Sequence, residues 1–457
     1  MEENVITKSN KLKLIVLTTT ILLVTLIGVT YAYFAIQVVG NETASSMKVL
    51  TANKNLIYND VQIVSDELVE PGWSDTKTLT VQNTGNVPAD FIIKFRELTN
   101  TIINGELVLS ATCTASTGTC DALPERAVHS AATEITNAYM YGPYTIPAGV
   151  TYTYTLTVEF KETGSRQSYN KGKSFIGTLN IGDGTPTPES CFTTSGAQIT
   201  TYTCNNTDII LPKTIGGTTM TSIANETFKQ KGLTSVVIPE GYTTLGQYSF
   251  NDNQLTSIVL PNTLTTLGRA AFDTNQLTSA AIPSRVSTIG RAAFANNQLM
   301  SAAISSGVTT IKLYAFHNNL LTSVIIPNSV TAIENAAFQD NQLTSITIPN
   351  GVTTISTAAF RRNQLTSVVI PSNVTTIGEG AFRVNQLSSV VIPSNVTTIN
   401  NYAFLENQLT SVTIEGKSSS SQFTTYGTNI WGWKSGITCT TNNTSNVTNG
   451  CITWLGN

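Results

Sequence analysis

Charge is what this sequence has least of. Asp, Glu, Lys and Arg make up 12% of its 457 residues, against about a quarter in ordinary soluble domains. With a formal net charge of −3 there is no broad basic surface to hold nucleic acid, and no nucleic-acid partner is expected. Histidine is nearly missing as well: His129 and His317 stand alone. No G-x-S-x-G, H-E-x-x-H or phosphate-loop motif occurs, so the sequence implies no enzyme, metal site or cofactor, with a secreted hydrolase as a minor alternative. Thr, Ser, Asn and Val take the place of the charges, a β-rich composition with a hydroxyl-covered surface.

Cysteine is scarce but paired. The six fall as Cys113/Cys120, Cys191/Cys204 and Cys439/Cys451, which reads as three local disulfides made in an oxidising compartment. The last two pairs each flank a plausible hairpin, although six cysteines allow 15 connectivities. Export agrees with the N-terminus, where Lys8, Lys11 and Lys13 precede an uncharged, apolar run from Leu14 to Asn41. That run is long enough to cross a bilayer with the N-terminus cytoplasmic. It also reads as a signal peptide cleaved near Thr30-Tyr31-Ala32. Either reading places the chain beyond about residue 40 at the cell surface or outside the cell, with any membrane contact made through residues 1–39.

A chain of 457 residues exceeds one core, and composition divides it. Residues 40–184 show period-two segments: Val61–Val64, Thr78–Val81, Phe91–Phe95, Leu107–Cys113 and Thr151–Phe160. They predict an antiparallel β-sandwich, with Tyr152, Tyr154, Leu156, Val158 and Phe160 on one face of their strand and threonines on the other. The stretch LVEPGWSDTKTLTVQNTGNVPADFIIKF, with Pro71-Gly72 and Val81–Gly85, resembles the exported camelysin/TasA type of Gram-positive bacteria. The resemblance implies a surface or matrix-fibre module. TPTPES at 185–190 reads as a stiff linker, and residues 191–232 as an N-terminal cap that opens with a hairpin between Cys191 and Cys204.

The dominant signal is a repeat. Leucine recurs every 22 residues from Leu233 to Leu409, and phenylalanine keeps the same step from Phe228 to Phe404. A fixed period in the twenties predicts a solenoid whose stacked turns share one core. Within one turn Leu365, Val368 and Ile370 mark a short strand ended by Pro371, Val374 and Ile377 point inward again, and Glu379–Phe382 suits one helical or 3-10 turn. LTSVVIPSNVTTIGEGAF resembles the BspA-type leucine-rich repeat of bacterial surface proteins, over roughly residues 205–415. That resemblance implies a right-handed leucine-rich solenoid (233–415), a C-terminal cap (416–457) and adhesion to host or neighbouring cells.

The expected architecture is therefore mainly β: a membrane-targeting segment, a sandwich, and a solenoid with disulfide-closed caps. The candidate ligand surface is the outward strand face, with Ser235, Val237, Ser257, Val259, Ser323, Ile325, Ser345, Thr347, Ser367, Val369, Ser389 and Val391. At about 4.8 Å per strand it predicts an uncharged sheet roughly 40 Å long, able to take a protein or glycan ligand. The alternative is a structural matrix protein assembling through the sandwich. The asparagine column Asn253 to Asn407 reads as a buried amide ladder. Arg361, Arg362 and Arg383 read as solvated surface or as a grip for an acidic ligand. Trp431 and Trp433 read as covers for the last layer. The turn Leu299–Leu320, with Ser305 in place of Pro and alanines at 280 and 302, reads as a drifted repeat with a slight bend.

Overall fold

The computed structural model describes residues 46–51, 54–64, 70–162, 170, 173–416, 424–427, 429–431 and 438–441. The N-terminal apolar segment, Trp433 and the Cys439–Cys451 pairing lie outside them. Among the described residues no helix is long and apolar enough to cross a membrane.

Ten strands make the N-terminal unit: β1 (Ser46–Thr51), β2 (Lys54–Asn59), β3 (Val61–Val64), β4 (Ser74–Asn83), β5 (Ala89–Asn100), β6 (Leu107–Ala115), β7 (Leu123–Ala127), β8 (Ala131–Ile146), β9 (Thr151–Phe160) and β10 (Phe175–Asp183). They pair as two antiparallel sheets, β1-β2-β4-β9-β6-β7 and β3-β10-β5-β8. Alternation sorts β9 as expected: Tyr152, Tyr154, Leu156, Val158 and Phe160 are buried while its threonines are not. They meet Phe91, Ile93 and Phe95 of β5 in a core shared by both sheets.

The sequence pattern omits β8 and β10 for physical reasons. The β5–β8 register shifts three times, which breaks the period of two. Strand β10 is buried on both faces from Gly177 to Gly182, so it has no polar side to alternate. Cys113 and Cys120 are joined in the β6–β7 hairpin, and Cys191 and Cys204 in the next one.

From residue 198 onward the chain coils. Short parallel strands stack in register one period apart, as in Thr376↔Thr398 and Ile377↔Ile399, or Ser389↔Ser411 and Ile392↔Ile414. Leu365, Ile370, Val374, Ile377 and Phe382 are all buried, and they join the equivalent residues of neighbouring coils in one core. The phenylalanines from Phe228 to Phe404 form a column with centroids 5.0–5.8 Å apart and planes within 12° of parallel. Trp431 continues it at 5.1 Å, so this tryptophan covers the last coil.

Two expectations need correction. The segment before each phenylalanine is neither helical nor 3-10. It is a tight turn in which Ala270, Ala292, Ala336, Ala358 and Gly380 take positive φ of 50–55°. That reversal aims alternate N–H groups along the solenoid axis: Ala358 N donates to Glu379 O (2.8 Å), Phe360 N to Ala381 O (2.9 Å) and Arg362 N to Arg383 O (2.9 Å). A helical turn would spend those donors within its own coil. The strand face is also not one continuous ladder, because single bridges such as Ala303↔Ile325 and Thr347↔Val369 interrupt it.

Candidate binding surface

The asparagine column supports the edge of this surface. Asn363 Nδ2 donates to Phe338 O (2.9 Å) and Phe360 O (3.1 Å), and its Oδ1 accepts from Leu343 N (3.0 Å). One buried amide thus satisfies backbone groups in two coils, and the same pattern recurs at Asn275, Asn319 and Asn385. The amides hold the start of each strand at a constant pitch. They are fully used, so they carry no recognition.

The strand face itself divides in two. Over the earlier coils the outer face of the four-stranded sheet lies against it. Ile92 and Tyr139 pack on Ile210 and Val237, with Val259 at the margin. Hydroxyl contacts continue the seam: Nδ1 of His129 meets Ser279 Oγ at 3.2 Å, Ser130 Oγ donates to Ser301 Oγ at 3.2 Å, and Asn104 Nδ2 donates to Ser323 Oγ at 2.9 Å. Arg126 adds an ion pair to Glu240 (2.8 Å). His129 is fully enclosed, and its Nε2 donates to Tyr139 O (3.0 Å), so Nδ1 is the acceptor from Ser279. Burial pushes this imidazole below its ordinary value, against the Tyr139 carbonyl bond and helped by the nearby Arg126 cation.

The predicted ligand residues therefore have different fates. Val237 and Ser323 are buried in the seam, and Ser235, Ser257 and Val259 are half-buried. Ile325, Ser345, Thr347, Ser367, Val369, Ser389 and Val391 are open to solvent, Val369 at 76% exposure. The open segments 344–350, 366–372 and 388–394 contain no charged residue. The turn Leu299–Leu320, read from sequence as simple drift, lies beneath the N-terminal unit. A Cβ on Gly105 would come 2.5 Å from that of Ala303, so the small residue there is what lets the unit approach.

Sequence reasoning missed the docking residues Asn104, Arg126, His129 and Ser130, because their partners are more than a hundred residues away. The alanines at 281 and 303, in a column otherwise of Val, Ile and Thr, are the signal that was available. On the turn face two of the three arginines, Arg362 and Arg383, already have acidic neighbours. Arg383 is paired with Glu406, and Arg362 lies 3.6 Å from Asp340. Among the described residues no three His, Cys, Asp or Glu side chains gather in a metal-binding group.

The BspA type leucine rich repeat region is matched in six copies, over residues 197–321 and 309–429, just over half of the sequence. The chain belongs to this family. Among solved structures, a leucine rich cell surface protein from Faecalibacterium prausnitzii A2-165 is 20% identical, covering 54% of this chain and 97% of its own, with a TM-score of 0.28. A leucine-rich repeat protein from Bacteroides ovatus ATCC 8483 is 18% identical over 54% of this chain and 74% of its own, TM-score 0.38. The leucine rich repeat protein of T. pallidum is 18% identical over 52% and 90%, TM-score 0.28. No protein of curated function matches.

Proposed function

We propose that this BspA-type protein is displayed at a bacterial surface and binds an external protein or glycan through the open strand face, from Ile325 to Val391. The observation that carries the reading is the exposure of Ile325, Val369 and Val391 (39%, 76% and 47%) along one uncharged face. Apolar side chains held outward on stacked coils are costly to leave in water and are suited to desolvation by a partner. With no charge in the strands, association is expected to be nearly insensitive to salt. Adhesion to host or neighbouring cells is the role this display fits. The two disulfides among the described residues support an oxidising, extracytoplasmic setting.

The test is a binding screen of the full chain against extracellular matrix proteins, glycans and bacterial cells, followed by the double variant Val369→Lys/Val391→Lys. We expect at least tenfold weaker binding with an unchanged melting temperature, since both side chains point to solvent. Undiminished binding by the double variant sinks the reading. The camelysin/TasA resemblance supports a second role, matrix assembly through the N-terminal unit. The four-stranded sheet's outer face is already engaged by the solenoid, so assembly through that face would require undocking.

A further inference from the structure

Beside the seam lies a cleft of about 390 Å³ that the open strand face does not include. One wall is the segment Glu125–His129, and the floor is formed by three successive coils around Val259, Ala281 and Ala303. Three departures from regularity converge on it. Ala281 stands where other coils carry larger residues, yet it is exposed into the cleft and, unlike Ala303, is not needed for the approach of Gly105. Ser305 replaces the proline found at 239, 261, 283, 327, 349, 371 and 393, and its Oγ is closed to solvent with no hydrogen-bond partner. Arg126 spends Nη1 on Met140 O (2.9 Å) and Nη2 on Glu240, but its Nε is likewise enclosed and unpaired.

The charges at the wall are already compensated. Arg126 is paired with Glu240, and Glu125 with Lys161 at 2.9 Å. The cleft therefore offers an uncharged site with an apolar floor and unused polar groups at its side. Polar atoms left unsatisfied in a protein interior are costly, and a ligand that supplies their partners recovers that cost. We infer that this cleft binds a small, uncharged, polyhydroxylated molecule of saccharide size. Its apolar ring face rests on Val259 and Ala281, and its hydroxyls bond Ser305 Oγ and the Arg126 Nε–H once these two side chains, closed to solvent as they stand, turn into the cleft. The volume is in the range of sites for small ligands.

The experiment is saturation-transfer NMR on the full chain with glucose, galactose, mannose, N-acetylglucosamine and N-acetylgalactosamine as probes. At least one is expected to show saturable transfer. Ala281→Val fills the floor and abolishes it without moving the melting temperature. Ser305→Ala weakens it ~5–10-fold, the loss of one hydrogen bond. Val369→Lys, on the open face, leaves it unchanged. The inference is overturned if no probe shows saturable transfer, or if Ala281→Val binds like the parent. Should Ala281→Val fail to fold, Ser305→Ala decides, and undiminished binding overturns it.

Discussion

At the residue scale, single polar or small side chains hold positions that no apolar pattern would reveal. Asn363 bridges two coils through buried bonds, so Asn363→Ala leaves the Leu343 N–H unsatisfied and takes one of two amide donors from each of Phe338 O and Phe360 O. The expected loss is about 3 kcal/mol in equilibrium denaturation. A loss below about 1 kcal/mol would show that water or local shifts replace the amide. Gly105, at φ +70°, faces Ala303 across the seam. Gly105→Ala is expected to loosen docking, read as faster amide exchange at His129 and Ser130. Ala303→Gly in the same chain should restore protection in part, leaving the left-handed strain of about 1 kcal/mol. No rescue would mean that backbone strain alone accounts for the change.

At the element scale, the turn before each phenylalanine separates two readings of one tetrapeptide. Were it helical, glycine at Ala358 would cost about 1 kcal/mol. In the left-handed conformation seen here, at φ 54°, Ala358→Gly is expected to stabilise by roughly 0.5–1 kcal/mol. Thermal denaturation of this single variant gives the sign. The repeat shows that something compact precedes the phenylalanine, and Gly380 in one coil hints at positive φ. A helical turn and a left-handed turn share the same apolar spacing over four residues, however, so periodicity could not choose between them. Strands β8 and β10 escaped for a related reason, since bulges and two-sided burial erase the alternation that marks a strand. The asparagine ladder was legible because a polar residue at a fixed phase in an apolar repeat must satisfy something fixed.

At the scale of the whole molecule, the seam between the N-terminal unit and the solenoid is the element that responds to pH. His129 is enclosed there with both ring nitrogens bonded, and burial lowers its pKa below the usual 6.5. Well above pH 6.5 it is neutral in every state, and its contribution to docking is complete. Below that value the undocked or unfolded chain takes up the proton more readily, so stability falls as pH drops from 6.5 towards the lowered value. Calorimetry from pH 7.5 to 5 should show this decline, and His129→Gln should flatten it. An equally steep decline in the variant would assign the dependence to other groups.

What the sequence determined by itself is whatever repeats. The 22-residue phase dictates stacked coils, a phenylalanine column, an amide ladder and a flat uncharged face, because each coil buries its apolar residues only against an identical neighbour. What only the tertiary structure decided is how much of that face is free. The N-terminal unit covers the coils around Val237, Ser279 and Ser301 and leaves Ile325 to Val391 open. That division rests on contacts between residues 92–139 and residues 210–323: an apolar patch of Ile92 and Tyr139, one glycine facing one alanine, and a row of serine hydroxyls. Small residues have no periodicity of their own, so their meaning appears only when the surface they admit is in place.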